Sequence, residues 1–338
     1  MGLVFTFIGT IIGAGFASGQ EIRKYFADFG IYGLFGILLV SILFIFIGEK
    51  IMLMGYTSKA ESYEDILGYG FRCKFGKVVD FLLGFFLVAT ASTMFSGTGA
   101  FFNQVCGTPF VVGTLAMAVV SFFVTILGIK GIMKVSSVIV PILILLTCVI
   151  SISSFSGGFD FRLISENNSL FPAFISAIIY GAYNIIMGLS VLPVLGSSSK
   201  NKSKIRVVSV ISGLIIGIFG IIIYFALLVN YDKIQVAEIP VAVLAGSRYG
   251  VVYGVSFIIA VLTTAVGCLY GVYTRFNKSV PTFFSICVVA CVISLFGFST
   301  LVAKLYYAMG IFGVFLITML LVGYNKRRID RKDKKNEI

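Results

Sequence analysis

Histidine does not occur anywhere in the 338 residues. Its absence removes the commonest metal ligand and the commonest general base, and argues against a metalloenzyme working inside a membrane. Charge is scarce as well. Only 12% of residues are charged, against roughly 25% in a soluble domain, which leaves no room for a soluble catalytic unit. Cys73, Cys106, Cys148, Cys268, Cys287 and Cys291 are scattered among apolar residues without a C-x-x-C pair. They indicate neither a zinc site nor a disulfide framework and read as small hydrophobes. No charged stretch precedes the first apolar segment, unlike a cleaved signal peptide. The start MGLVFT fits a myristoylation pattern through Gly2 and Thr6 in form only, because it runs straight into that segment. Nothing reads as a filter ring or a repeated pore loop, so a channel is disfavoured.

What is present is apolar surface: 59% of the residues are hydrophobic. Stretches of about twenty apolar residues recur along the whole length, each able to cross a ~30 Å hydrocarbon core. Ten spans are expected, at about 3–27, 31–54, 78–103, 110–129, 134–153, 170–195, 207–229, 250–274, 281–297 and 301–324. The net charge of +12 sits in short connections and the tail, a pattern of membrane orientation and not of nucleic-acid binding. Lys59, Arg72, Lys74, Lys77, Lys130, Lys134, the Lys200–Arg206 stretch, Arg275, Lys278 and the tail fall on one side, and only Arg162, Lys233 and Arg248 on the other. The positive-inside bias therefore places both termini in the cytoplasm. The 34 phenylalanines and 16 tyrosines mostly suit lipid contact or helix packing.

The first span, FTFIGTIIGAGF, carries Gly9, Gly13 and Gly15. A G-x-G pair weakens a helix interior, and freed backbone groups at bilayer depth are tolerated only where protein or a polar cavity satisfies them. The alternative is that these glycines let helices pack closely. The sixth span begins at Pro172 and reaches a break-prone Tyr180-Gly181-Ala182-Tyr183-Asn184 about ten residues in, with a second half running to Pro193. Spans one and six lead two five-span halves, and an odd number of spans per half makes those halves enter from opposite sides. The expected fold is thus an all-α membrane protein, a single transmembrane domain of ten helices in two inverted repeats. The repeats cover about 3–153 and 170–324, and residues 325–338 form a basic tail. Helices one and six are broken near the midplane, the best sequence pointer to a binding site in a secondary transporter. Two connections are long: 55–77, with capping-box-like SKAE and SYED, and the apolar 230–249 around Pro240, which reads as a lid or a packed surface loop.

In the eighth span Ala260, Thr263 and Thr264 share a helical face, so two hydroxyls and a carbonyl can point to one spot. Their alternative use is bonding to the helix itself or to a neighbour. An oxygen cage without carboxylate suits a hard cation of low charge, sodium being the natural choice.

With these motifs the chain resembles the amino acid, polyamine and organocation transporter superfamily with the five-plus-five repeat of the neurotransmitter:sodium symporters. More narrowly, GTIIGAGFASGQEI resembles the opening of the YkvI-like bacterial membrane proteins and, more loosely, the branched-chain amino acid carriers. The resemblance implies a sodium site made by the carbonyls of Gly9, Ile12 and Ala260 and the hydroxyls of Thr263 and Thr264. It also implies a solute pocket in which Ala14, Gly15 and Phe16 face Tyr180, Gly181, Tyr183 and Asn184, with half-helix amides taking a carboxylate. Phe16 stands where the symporters have asparagine, which puts a second sodium site in doubt. Glu21 and Arg23 lie where that family places an arm of an outer gate. A charge at that depth is a functional candidate, unless both snorkel outward or pair with Lys304. Glu21 also keeps a proton-coupled alternative open, since a buried carboxylate can take up and release a proton in each cycle.

The reading is a non-enzymatic secondary transporter of the cell membrane, moving a small zwitterionic solute, an amino acid, by alternating access with sodium as the coupling ion. It needs no other cofactor and no nucleic acid, and it leaves protein partners open. The rival is a transporter-like receptor that senses a small molecule without net transport.

Overall fold

A computed structural model describes residues 2–61, 63–70, 73–127, 130–157, 169–189 and 191–336. Arg72 and Arg162, which enter the orientation argument, lie outside them. Among the described residues every regular element is helical.

The first span is three pieces: α1 (Gly2–Ile11), α2 (Ala14–Ala17) and α3 (Gln20–Tyr25). Its two threonines return their hydroxyls to the helix, Thr6 to Gly2 O at 3.0 Å and Thr10 to Thr6 O at 2.7 Å. The expected break follows α1, where Gly13 is extended. A second interruption, absent from the sequence reading, falls at Gly19, whose φ of 79° is left-handed. A Cβ there would meet Val241 Cγ2 at 2.9 Å, so both backbone and packing require glycine.

Then come α4 (Tyr32–Ser58), the short α5 (Glu64–Gly70), α6 (Cys73–Cys106), α7 (Phe110–Leu127) and α8 (Lys130–Ser153). Of the two capping-box-like motifs in the 55–77 connection, Ser58 of SKAE ends α4 instead, bonding Met54 O at 3.0 Å, and Ser62 of SYED lies outside the described residues; the Glu61 amide donates to Asp65 Oδ2 at 2.8 Å before α5. The second half contains α9 (Leu170–Gly188), α10 (Leu192–Ser197), α11 (Lys202–Val229), α12 (Tyr231–Ile234), α13 (Pro240–Arg275), α14 (Val280–Ser294) and α15 (Phe298–Asn336). Asn201 caps α11, its Oδ1 accepting from the Lys204 amide at 2.8 Å.

Seven of these helices are long and apolar enough to cross a membrane, and Gly2–Ile11, Pro141–Ser153 and Val280–Ser294 are shorter apolar helices. Phe46, Phe81, Phe123, Leu145 and Phe284 stand exposed on α4, α6, α7, α8 and α14, an apolar exterior suited to lipid.

Two expectations need correction. The sixth span is helical through Tyr180–Asn184 and opens only after Gly188, before α10. Gly181 is a packing glycine, whose added Cβ would meet Leu43 Cδ1 at 3.2 Å, and the Asn184 amide bonds Tyr180 O at 3.1 Å within the helix. Pro193 starts the second piece instead of ending it, as its fixed φ favours. The eighth span starts early, at Pro240, because residues 240–245 wind into helical turns before a kink at Gly246 (φ 52°, ψ −155°). The basic tail continues the helix of the tenth span to Asn336.

Close helix contacts hold the frame. A Cβ on Gly55 would lie 2.0 Å from Pro193 O, and one on Gly196 2.0 Å from Met52 O, so α4 and α10 touch backbone to backbone. Gly310 and Gly313 likewise bring α15 against the Ile179 and Ala182 carbonyls of α9, at 2.5 and 2.8 Å from an added Cβ. Small residues let membrane helices approach in this way.

Candidate functional site

At the first break the Gly13 amide, whose helical partner would be the Gly9 carbonyl, reaches Ile11 O instead at 3.2 Å. The Gly9 carbonyl is thereby released from the ladder. An added Cβ on Gly13 would meet nothing within 4 Å, so this glycine is not there for close helix packing. Helix α13 lies against α2, and the Tyr253 hydroxyl ties the two by donating to Ala17 O at 3.1 Å. On α13 the Thr263 and Thr264 hydroxyls donate to the Ala260 carbonyl at 2.9 and 3.0 Å. This is the bonding to the helix itself that the threonines' alternative use describes, and it places the three oxygens side by side on one face of α13. Both hydroxyl protons are directed at the carbonyl, which leaves hydroxyl lone pairs free to face a cation. Among the described residues no group of three His, Cys, Asp or Glu side chains could hold a metal, so a cation in this region would rely on neutral oxygens.

The pocket residues separate into those that meet and those that do not. Ala14, Gly15 and Phe16 are buried, as are Tyr180, Gly181, Tyr183 and Asn184. Gly181 faces α4, and the Phe16 ring points towards Gly220 of α11, 3.9 Å from the Cβ that glycine lacks. Gly15, Tyr180 and Tyr183 come together around Glu21. The Glu21 side chain folds back so far that its Oε1 sits 1.8 Å from where a Gly15 Cβ would be. Glu21 is 5% exposed and thus turned inward, not snorkelling. Its carboxyl group lies beside the Tyr183 and Tyr180 hydroxyls, neither of which completes a well-formed hydrogen bond.

Two residues that sequence reasoning missed complete the enclosure, Tyr25 from α3 and Tyr306 from α15. Ring centroids stand 5.3 Å apart for Tyr25 and Tyr180, 5.4 Å for Tyr180 and Tyr183, and 4.8 Å for Tyr183 and Tyr306. The sequence signal for them was only a polar-tipped aromatic in an otherwise apolar span.

Arg23 points the other way. Its Nη1 donates to the carbonyls of Ile234, Gln235 and Ala237 at 2.6, 2.8 and 2.9 Å, binding the 230–249 connection down over the bundle. Gln104 exchanges two hydrogen bonds with Ile239, both at 3.0 Å, and the Val241 amide donates to Ser18 O at 3.0 Å. Glu238 accepts from the Ser299 amide at 2.7 Å. The connection is therefore a packed strap. Within it, burial and the neighbouring Asp28 push the Tyr231 hydroxyl up to about 12, so it stays protonated and donates to Asp28 Oδ1 at 2.9 Å. Beside the strap a cavity of about 390 Å³, lined by Lys24, Tyr25, Pro172, Ser176 and Tyr307, ends on the Tyr25 ring.

At the opposite end of α13, Arg275 bonds Asp80 of α6 and the Tyr63 hydroxyl, and Tyr63 donates to Asp80 Oδ1 at 2.7 Å. A small apolar cleft between Tyr63, Phe86 and Leu189 opens beside this cluster at the second break. The Glu21 enclosure thus lies between a strapped end and a bridged end.

No protein-family model matches the chain. It is similar to the uncharacterized membrane protein YkvI of Bacillus subtilis (strain 168), 28% identical over 342 residues and 96% of each chain. It is also 28% identical over 327 residues to the protein YyaD of the same organism, covering 93% of this chain and 94% of that one. Among solved structures, MhsT in complex with L-phenylalanine superposes with a TM-score of 0.63 at 17% identity, over 96% of this chain and 91% of the other. A mutant of the Eremococcus coleocola manganese transporter gives 0.62 at 12% identity, over 93% and 78%. The resemblance to the YkvI-like membrane proteins is borne out, and the fold is one that membrane transporters use.

Proposed function

We propose that this chain is a secondary transporter carrying a small zwitterionic solute, an amino acid, across the cell membrane by alternating access, with sodium as the coupling ion. In this reading ten spans form two inverted halves, both termini are cytoplasmic, and the strap closes the outer side. The observation that carries it is the released Gly9 carbonyl at the break of the first span, taken with the convergence of Ala260 O and the two threonine hydroxyls on α13. Ile12 would add its carbonyl. Sodium there would draw α13 against the first span and favour the state in which the solute pocket is formed. The coupling is then reciprocal, typically ~1–3 kcal/mol.

The test is thermal stability of the purified protein in sodium, potassium and choline chloride, with and without Thr263→Ala plus Thr264→Ala, because a ligand of the folded state alone raises apparent stability. A sodium-specific rise lost in the double variant supports the site. No rise, or one that survives the substitutions, counts against it. Uptake of labelled amino acids into liposomes under a sodium gradient then tests transport itself, and counterflow by this chain alone separates a transporter from a receptor.

A second reading has its own support. The Glu21 carboxyl sits between the first span and α9, where a proton taken up would be coupled to the solute pocket. Uptake driven by a proton gradient without sodium, and lost in Glu21→Gln, would favour it.

A further inference from the structure

We propose that Glu21 is the group that takes the positively charged nitrogen of the solute, and that Tyr25, Tyr180, Tyr183 and Tyr306 make the site selective for a primary ammonium. This rests on the transporter reading for its biological sense, but the binding site stands on its own geometry.

A carboxylate removed from water is costly unless a cation or several donors compensate it. Glu21 is 5% exposed, and among the described residues it forms no ion pair. The two nearest cationic side chains along its own helix face elsewhere. Arg23 is committed to the strap carbonyls, and Lys24 pairs with Asp28 at 3.5 Å. The walls supply aromatic faces and phenolic oxygens instead. Tyr180 and Tyr183 are 1% and 3% exposed, and each hydroxyl is without a complete hydrogen bond. The Glu21 carboxylate and the Tyr180 and Tyr183 phenol oxygens beside it match an ammonium in charge and offer acceptors enough for its three N–H donors, with ring faces adding cation–π attraction.

The same features set the limits of the class. Among the described residues no cationic side chain pairs with Glu21, so a solute bearing only a carboxylate would meet it unscreened. The rings stand 4.8 to 5.9 Å apart, already in contact, so a compact primary ammonium can be received at the hydroxyl edge whereas a trimethylammonium would have to part the rings. The cavity lined by Tyr25 offers an approach, the Tyr25 ring being in contact with Tyr180 of the enclosure at 5.3 Å between centroids.

The experiment uses the purified full-length chain and measures thermal shifts with the twenty amino acids and a set of simple primary amines. For the strongest binder the panel adds its deaminated acid and its N-trimethyl derivative. Expected are shifts by amine-bearing compounds, none by the deaminated acid, and at least tenfold weaker binding of the N-trimethyl form. Glu21→Gln should weaken amine binding at least tenfold, and Tyr183→Phe severalfold, while both variants keep the unliganded melting temperature within a few degrees. Binding of the deaminated acid as tight as that of the amino acid, amine binding unchanged in Glu21→Gln, or no shift from any amine-bearing compound would each overturn the proposal. Should Glu21→Gln prove unstable, Tyr180→Phe and Tyr183→Phe carry the same test through the hydroxyls. Liposome counterflow keeps the two readings apart. Glu21-dependent amine binding without flux removes the transporter reading and leaves the site. Flux of a solute lacking the amine, undiminished in Glu21→Gln, does the reverse.

Discussion

Replacing Arg23 by alanine should free the strap while leaving the rest of the bundle intact. Arg23 is 3% exposed, and its Nη1 lies within 2.9 Å of three carbonyls, those of Ile234, Gln235 and Ala237. One terminal guanidinium nitrogen has two hydrogens, so no more than two of these contacts are full bonds at once. A hydrogen bond from a charged donor contributes ~1.5–3 kcal/mol. Two give ~3–6 kcal/mol, and water that reaches the partly exposed Gln235 carbonyl after the change returns some of it, so ~3–4 kcal/mol is the reasonable expectation. At 1.4 kcal/mol per decade, the open strap should become about 10²- to 10³-fold more populated.

Amide hydrogen exchange reads that population directly, because local opening sets the protection of the amides it exposes. The reporters are the Ile239 amide, held by Gln104 Oε1 at 3.0 Å, and the Val241 amide, held by Ser18 O at 3.0 Å. Both should exchange 10²- to 10³-fold faster in Arg23→Ala, with α9, α11 and α15 unaffected. Unchanged exchange over 234–245 would refute the reasoning, since Arg23 would then not hold the strap. Equal acceleration throughout would refute it too, by showing a loss of global stability instead.

Gly196→Ala, whose Cβ would fall 2.0 Å from Met52 O, should lower stability by ~1–3 kcal/mol in a thermal scan, as overpacking does. Gly13→Ala has open space to enter and should cost far less; equal losses would contradict the packing account. Gly15→Ala must displace the Glu21 carboxyl, so its destabilisation should largely disappear in a Glu21→Ala background, and simple additivity in that double-mutant cycle would sink the contact. Asp80→Asn should lower stability only slightly, by ~1 kcal/mol or less in a thermal scan, because its side chain is 40% exposed and that of Arg275 19%. The deficit should shrink in high salt, and a salt-independent loss would point to packing instead of charge.

The parts of the site legible in the sequence are those fixed by spacing within one helix. Ala260, Thr263 and Thr264 converge because residues three and four apart share a helical face, whatever surrounds them. The first break was legible because Gly13 and Gly15 stand in a short apolar run where few other residues favour an opening. The second was not, because a glycine in a membrane helix has two uses. Gly181 makes room for Leu43, which only the position of α4 reveals, and the true opening after Gly188 is marked by Pro193 as a helix start. Glu21 was legible as an intramembrane charge, but its direction was not. It depends on the left-handed turn at Gly19, which redirects α3 so that the side chain returns to Gly15. Tyr306 reaches the site from the last span, a pairing that no local pattern encodes.

The two pieces of the sixth span are fastened to different neighbours, and this gives the displaced break a mechanical meaning. Helix α9 meets α15 backbone to backbone at Gly310 and Gly313, and α10 meets α4 in the same way at Gly55 and Gly196. Between α9 and α4 the contacts are made by side chains, Leu43 against Gly181 and the Phe44 and Tyr180 rings with centroids 6.4 Å apart. Backbone contacts cannot slide without parting the helices, whereas side chains can change rotamer as one helix shifts along another. Under the proposed alternating access, Tyr180 and Tyr183 would stay with α15 while α10 stays with α4. A break at Tyr180–Asn184 would have divided the tyrosine wall between two bodies. With the break after Gly188, Tyr180, Tyr183 and Tyr306 stay together on one body, and Glu21 and Tyr25 meet them from the first span. That arrangement would keep the wall of the enclosure whole through the proposed alternating access.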